Sequence, residues 1–125
     1  MQAILFIGIQ AVGKSSFFKQ RFFDSHVRVS LDLLRTRHRE REFLHCCLET
    51  RQPFVIDKTN PKAEDRSEYL RLAQEFGYRT TGFYFRSKVD ECLARNAQRE
   101  RRVPDVAICA TAKHLERPTL SEGFD

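Results

Sequence analysis

The sequence lacks several features that would place it in particular protein classes. Tryptophan is absent, and no apolar stretch approaches the length of about 20 residues that a membrane-spanning helix needs. Met1 and Gln2 run directly into an apolar pattern, so no basic and apolar secretory leader is recognisable. No linker, repeat or low-complexity tract is visible. We therefore expect a single domain over residues 1–125, with no membrane partner and a cytoplasmic location.

The cysteines show no metal-binding pattern. Cys46, Cys47, Cys92 and Cys109 form no C-x-x-C pair, and no histidine lies at a metal-ligand spacing from them. His45 precedes Cys46, but consecutive residues of a helix point in different directions. We expect free thiols in a reducing compartment and no structural zinc.

Basic residues exceed acidic ones, with 22 Lys and Arg against 17 Asp and Glu and a formal net charge of +5. Arginine is concentrated in two segments, residues 35–41 and 95–102. Guanidinium groups match phosphate oxygens well, which favours a phosphate-bearing ligand. The glutamates between these arginines equally favour solvated helix faces, so charge alone does not decide between the two interpretations.

A complete phosphate-binding motif, G-x-x-x-x-G-K-[ST], lies near the amino terminus between an apolar strand pattern and a helical one. Its glycines permit backbone conformations in which successive N–H groups point at a phosphate, and the following helix adds the positive end of its dipole. Lys14 would reach the β- and γ-phosphates of ATP, and the Ser15 hydroxyl would bind Mg²⁺. The predicted nucleotide-contacting residues of this loop are Gly8, Ile9, Gln10, Ala11, Val12, Gly13, Lys14, Ser15 and Ser16.

Strand and helix patterns alternate along the whole chain. Strands are predicted at residues 3–7, 27–31, 54–56 and 78–85, and helices at 15–23, 33–50, 61–77, 88–101 and 104–115. Asn60 and Ser87 are predicted helix caps. This order predicts an α/β fold with a parallel sheet between layers of helices, in which ligands collect beyond the carboxyl ends of the strands.

Asp32 lies at a predicted strand end, where a carboxylate could accept the proton of an attacking hydroxyl. The same position also suits a simple helix cap, and the pattern leaves both roles open. Arg35 follows one helical turn later, on the predicted same face, where it could hold a neighbouring anion.

These residues carry a resemblance to a known family. The loop at residues 8–15, Asp32-Leu33-Leu34-Arg35, Asp57-Lys58-Thr59-Asn60-Pro61 and the arginines of residues 95–99 resemble polynucleotide 5′-hydroxyl kinases over nearly the whole chain. The resemblance implies a P-loop NTPase-like three-layer sandwich with a mostly parallel sheet and a small helical arginine lid at about residues 87–104. It also implies ATP and Mg²⁺ as cofactors and a nucleic-acid 5′ end as acceptor.

By the same resemblance, Asp32 is the general base, Arg35 contacts the acceptor's phosphate, and Asp57 holds a magnesium-bound water or orients Arg35. Asp57 also suits a helix start, and that alternative stays open. Lys14 and the lid arginines Arg95 and Arg99 would bind the nucleotide, with Arg99 neutralising charge on the transferring group.

Three departures from the family pattern concern activity. Val12 replaces the usual Ser, Lys58 replaces the usual Asn, and the lid between residues 99 and 104 is short and lacks glycine. We also expect the last strand of the family fold to be absent after Asp125.

Three functions therefore remain open. The first is a 5′-hydroxyl polynucleotide kinase, the second is a kinase for a small metabolite or a nucleoside, and the third is a nucleotide-binding regulatory module with little turnover. The sequence does not indicate an oligomeric state.

Overall fold

The computed structural model describes all residues from Met1 to Asp125. The strands are β1 (Gln2–Ile7), β2 (Val27–Val29), β3 (Phe54–Ile56) and β4 (Arg79–Tyr84). The helices are α1 (Lys14–Arg21), α2 (Leu31–Leu34), α3 (Arg37–Glu49), α4 (Ala63–Glu75), α5 (Val89–Ala97) and α6 (Asp105–His114), and a 3₁₀ turn spans Leu120–Glu122. No helix combines the length and the apolar character needed to cross a bilayer.

The four strands form one parallel sheet in the order β2-β3-β1-β4. Strand β1 has a neighbour on each side, which explains why residues 3–7 are all apolar and fully buried. Each connection between parallel strands contains a helix, as such crossovers require. The predicted α/β fold is confirmed.

Helices cover both faces of the sheet because successive residues of β1 point in opposite directions. Ala3 and Leu5 belong to a core cluster with residues of α3 and α4, among them Leu48 and Leu70. On the other face, a phenylalanine-rich cluster joins the sheet to α1; its buried members are Ile4, Phe6, Phe18, Phe22 and Val55. The result is the predicted three-layer sandwich.

The region around Asp32 differs from the prediction. Strand β2 ends at Val29, so Asp32 lies in the first turn of the short helix α2 and not at a strand end. The long helix predicted over residues 33–50 is broken, because Arg35 adopts a left-handed backbone conformation with φ of 74°. Helix α3 then begins anew, with the Thr36 hydroxyl accepting a hydrogen bond from the Arg39 amide at 3.1 Å.

Both predicted helix caps are wrong. Asn60 is buried with a φ of 44°, and its Nδ2 donates to the Phe6 carbonyl at 2.8 Å, so it stabilises a turn beside β1 while α4 begins only at Ala63. Ser87 precedes the N-cap of α5, which is Lys88. Its hydroxyl instead accepts from the Ile9 amide at 3.3 Å and donates to the Phe85 carbonyl.

The predicted lid region contains α5 and the segment that leads to α6. Helix α5 ends at Ala97, four residues before its predicted end at residue 101. Asn96 fixes the following segment, because its amide exchanges two hydrogen bonds with the Val103 backbone, at 2.7 and 3.0 Å. Cys92 of α5 and Ile108 of α6 pack on Ile9, so α5 and α6 lie directly against the phosphate-binding loop.

Arg66 of α4 joins the carboxyl-terminal segment to the body of the fold. Its guanidinium is fully buried and donates two hydrogen bonds to the Glu122 carboxylate, at 2.8 and 3.1 Å. A third nitrogen donates to the backbone carbonyls of Asn60, Pro61 and Glu116. Burial alone would raise the pKa of Glu122, but hydrogen bonds from Arg66 and Thr119 outweigh it and lower that pKa.

We predict that Arg66→Met lowers the free energy of unfolding by about 3–5 kcal/mol, because it leaves a partly buried carboxylate and three carbonyls without their donor. Urea unfolding measures the change. The matched control is Arg71→Met on the same helix, where an exposed ion pair with Glu75 contributes about 1 kcal/mol or less. Equal losses in the two variants would contradict this role of Arg66.

Candidate active site

One large cavity of about 520 Å³ opens at the carboxyl ends of the strands, where the parallel sheet was expected to gather ligands. It is lined by residues from the phosphate-binding loop, from the ends of β2 and β3, and from the lid. These residues are Gln10, Ala11, Gly13, Lys14, Ser15, Ser16, Arg28, Ser30, Leu31, Asp32, Asp57, Lys58, Thr59, Arg95, Arg99 and Val103.

The loop of residues 8–15 connects β1 to α1, as the motif predicted. Gly13 has a φ of 104°, a conformation that glycine adopts without strain, and Ala11 also lies in the left-handed region with a φ of 63°. At Gly8 the constraint is space, because a Cβ atom there would lie 2.9 Å from the Phe85 Cβ.

Three residues of the loop do not reach the cavity wall. Gly8, Ile9 and Val12 were predicted to contact the nucleotide, but none of them lines the cavity. Ile9 is fully buried against the lid, and its amide already donates to the Ser87 hydroxyl. A contact between a phosphate and Ile9 stays a prediction, and for the amide it would require exchange of the Ser87 partner.

Lys14 begins α1 and folds back over the loop. Its Nζ donates to the carbonyls of Gly8 and Ile9, at 2.9 and 2.7 Å. Burial lowers the pKa of Lys14 from its ordinary 10.5 to about 8, and the nearby Asp57 carboxylate only partly opposes that shift. An anion placed beside Lys14 would favour its charged form and raise this pKa.

Asp57 follows β3 directly and lies beside Ser15, whose hydroxyl donates to its Oδ2 at 3.5 Å. The resemblance implied that Asp57 holds a magnesium-bound water or orients Arg35. Its ion-pair partner is Arg28 and not Arg35, with the Arg28 Nε donating to the same Oδ2 at 2.8 Å. Arg28 also donates from Nη2 to the Ser15 hydroxyl at 3.0 Å. Sequence reasoning missed Arg28. A charged residue between Val27 and Val29 in a short strand could have indicated a functional side chain.

Asp32 and Arg35 do not share the arrangement that was predicted for them. Asp32 is exposed and lines the cavity, together with Lys14 and Ser15. Arg35 is exposed but does not line the cavity, because its left-handed backbone ends α2 after a single turn. The expectation that both residues lie on one continuing helical face is therefore wrong.

The two arginines of the predicted lid, Arg95 and Arg99, both line the cavity. Arg95 Nη1 donates to the carbonyls of Ala11 and Val12, at 3.3 and 3.5 Å. Arg99 lines the cavity, and its charge helps to lower the pKa of Lys14, after the larger effect of burial. Arg95 therefore holds the loop, while Arg99 has no such bond to it.

Lys58, where the family usually has asparagine, belongs to a polar cluster that the sequence did not reveal. Its Nζ donates to the Tyr69 hydroxyl at 2.6 Å and lies 3.4 Å from a Glu40 carboxylate oxygen. The Tyr69 hydroxyl in turn donates to Glu40, and burial together with that carboxylate raises the pKa of Tyr69. Helices α3 and α4 thus fix a lysine at the cavity wall.

The residues around Ser15 are compatible with Mg²⁺ carried by a nucleotide. Mg²⁺ in such sites takes one or two protein oxygens and completes its coordination with phosphate oxygens and water. Ser15 and Asp57 offer a hydroxyl and a carboxylate close together, and a guanidinium already binds both, which marks the spot as favourable for a cation. No group of three or more His, Cys, Asp or Glu side chains could hold a metal by itself.

Comparisons with known proteins agree with this geometry. A family model described as an AAA domain matches residues 4–118. The bifunctional polynucleotide phosphatase/kinase of Schizosaccharomyces pombe is 25% identical over 129 residues, covering 98% of this chain and 32% of that protein. The chain therefore spans about a third of the length of this curated relative.

Two solved structures have a similar fold. One is the Pnkp1/Rnl/Hen1 RNA repair complex, with a TM-score of 0.74 and 21% identity over 91% of this chain and 43% of that chain. The other is a gluconokinase from Sinorhizobium meliloti 1021, with a TM-score of 0.66 and 17% identity over 94% of this chain and 76% of that chain. At these identities the likeness establishes the fold alone. Together with the family match and the curated relative, it confirms the predicted resemblance to polynucleotide kinases.

We predict that Lys14 titrates near pH 8 in the free protein, because burial disfavours its charged form. The Cε resonances of ¹³C-lysine-labelled protein report the titration, and Lys14→Arg identifies the resonance by its loss. Adding a triphosphate should raise this pKa, because the anion favours the ammonium form. A Lys14 resonance that titrates at the ordinary lysine pKa of about 10.4 would contradict the prediction.

Proposed function

The chain belongs to the AAA domain family, and we propose that it is an ATP-dependent phosphotransferase whose acceptor is the 5′-hydroxyl end of a polynucleotide. The organisation of residues 1–125 as one domain, with a lid at about residues 87–104, is part of the same proposal. The relative from Schizosaccharomyces pombe, named as a polynucleotide phosphatase/kinase, supports the acceptor class.

One observation carries the proposal: Asp32 lines the same cavity as Lys14 and Ser15. A phosphate-binding loop by itself indicates only that a nucleotide is held. A carboxylate in the same cavity adds a group that can orient a hydroxyl and accept its proton. The phosphate donor and the hydroxyl acceptor can therefore be held in the same cavity of about 520 Å³.

In the proposed reaction, the acceptor oxygen forms a bond to the γ-phosphorus, the bond from that phosphorus to the β–γ bridging oxygen breaks, and ADP leaves. The hydroxyl proton passes to Asp32. Lys14 and Arg99 stabilise the charge on the transferring group, and Arg95 supports the loop that holds the other phosphates. Ser15 and Asp57 would hold Mg²⁺, which supplies charge neutralisation at the phosphates when it is bound.

The charges around the cavity favour an anionic acceptor. Arg28 and Lys58 line the wall, and the chain as a whole carries a net charge of +5. Arg35 lies outside the cavity but only three residues from Asp32, where it is exposed to solvent. We assign Arg35 to a phosphate of the acceptor that lies beyond the reacting nucleotide, which a polynucleotide has and a small alcohol lacks.

A small-molecule or nucleoside kinase is the second candidate. The similarity to a gluconokinase favours it, because the present chain covers 76% of that protein but only 32% of the polynucleotide phosphatase/kinase. A nucleotide-binding regulatory module with little turnover is the third, and Val12 in the loop is the feature that suggests it.

The first test is transfer of label from γ-labelled ATP, with Mg²⁺, to 5′-hydroxyl oligonucleotides, nucleosides and sugar acids. We expect label on the oligonucleotides, with a rate that falls steeply as salt increases, because the acceptor's phosphates release counterions when they bind. Matched 5′-phosphorylated oligonucleotides are the control and should stay unlabelled. Label confined to a small molecule would contradict the polynucleotide assignment, and ATP binding without any transfer would favour the regulatory module.

The second test is Asp32→Asn, which we expect to lower kcat by about 10²–10⁴ because it removes the proton acceptor. The dissociation constant for ATP should change little, since Asp32 is on the acceptor side. Asp24→Asn is the matched control, because Asp24 is an exposed acid in the turn after α1 and outside the cavity. A rate near that of the wild type in Asp32→Asn would show that the base is another group.

A further inference from the structure

Arg28 occupies the place where a metal ion would meet the protein. It lies in β2 opposite Val55, on the sheet face that α1 covers. From there its guanidinium reaches Asp57 at 2.8 Å and Ser15 at 3.0 Å. The Ser15 hydroxyl and the Asp57 carboxylate are the two groups that would bind Mg²⁺ or its water.

A guanidinium and Mg²⁺ compete for these oxygens. Mg²⁺ binds oxygen at about 2.0–2.1 Å with nearly octahedral geometry. The Ser15 hydroxyl already donates to Asp57 and accepts from Arg28, so the metal would have to approach this oxygen directly beside the Arg28 guanidinium. A dication beside a guanidinium is also repelled, and the Asp57 side chain is only 4% exposed, so water screens that repulsion weakly. Binding of one cation therefore opposes binding of the other.

We propose that Arg28 is a built-in competitor of Mg²⁺, which holds Asp57 and Ser15 in the free protein and gives up Ser15 when the metal arrives with the nucleotide. The Arg28 guanidinium carbon lies 5.8 Å from the centre of the Phe18 ring, and this contact does not depend on the hydrogen bond to Ser15. The inference rests on the proposed binding of ATP with Mg²⁺ and is independent of the acceptor.

The consequence is a weakened coupling between metal and nucleotide. In the wild type, part of the favourable interaction of Mg²⁺ offsets the loss of the contacts that Arg28 makes. The ratio of nucleotide dissociation constants without and with Mg²⁺ should therefore be smaller than in a protein without this charge. Loss of a residue that contacts the phosphates directly would change both dissociation constants alike and leave the ratio unchanged. Loss of a residue that only positions Asp57 for the metal would weaken binding only in the presence of Mg²⁺ and lower the ratio.

The test compares Arg28→Gln with the wild type by titration calorimetry of a non-hydrolysable ATP analogue, in EDTA and in saturating Mg²⁺. Glutamine still donates hydrogen bonds to Asp57 but carries no charge. We expect the ratio to rise at least about tenfold, the effect of removing one unit charge close to a dication. Thermal unfolding monitors the fold. If the unpaired carboxylate prevents folding of Arg28→Gln, the double variant Arg28→Gln with Asp57→Asn is compared with Asp57→Asn alone, and the ratio of the double variant should be the larger of the two; equal ratios would overturn the competition.

Two controls make the outcome specific. Arg28→Lys keeps the charge and should keep most of the wild-type ratio. Arg21→Gln removes an exposed arginine of α1 that stacks on Phe17, Phe22 and Phe83, and it should leave the ratio unchanged. An unchanged ratio in Arg28→Gln, with the nucleotide still bound, would overturn the competition and leave the proposed function intact. Failure of every variant and the wild type to bind the analogue would overturn both.

Discussion

Strand β1 is hydrogen-bonded in parallel on both edges, and this pairing decides where each charged group of the cavity lies. The carboxyl end of β1 leads into the phosphate-binding loop. Its neighbour β3 is followed by Asp57 at the same end of the sheet, and β2 ends next to β3. The amide of Asp57 donates to the Val29 carbonyl at 2.9 Å, which continues the sheet beyond the last strand residues and fixes the two chain segments together. Reversing any of these strands would carry its terminal side chains to the opposite edge of the sheet.

The cations gathered by this arrangement are compensated within the protein before any ligand binds. Lys14 donates to two carbonyls of its own loop, and burial lowers its pKa to about 8. Arg28 is paired with Asp57, and Lys58 with Glu40 and Tyr69. Positive groups that faced one another without such partners would destabilise the fold. Each of these cations must therefore give up a contact within the protein before it can bind a triphosphate. The loss of that contact limits how strongly the cation contributes to binding.

Local patterns in the sequence predicted the strands, the loop and the layer order, because each depends on residues that are close in the chain. The buried strand of residues 3–7 and the motif of residues 8–15 are examples. The cavity contacts of Arg28 and Lys58 were not predictable in the same way, since their partners lie between 11 and 29 positions away. The helix break at Arg35 was also missed. Glycine and asparagine are the residues that usually adopt the left-handed conformation, and here an arginine adopts it. Tertiary packing decided these features.

The central claim is that the Asp32 carboxylate and the bound nucleotide face one another across a single cavity. The most direct measurement is a crystal structure with a non-hydrolysable ATP analogue, Mg²⁺ and a short 5′-hydroxyl oligonucleotide. The account predicts an oxygen of Asp32 about 2.6–3.2 Å from the 5′-hydroxyl, with that hydroxyl in line with the γ-phosphorus. An oligonucleotide end bound away from Asp32, or an Asp32 side chain turned out of the cavity in the complex, would contradict it.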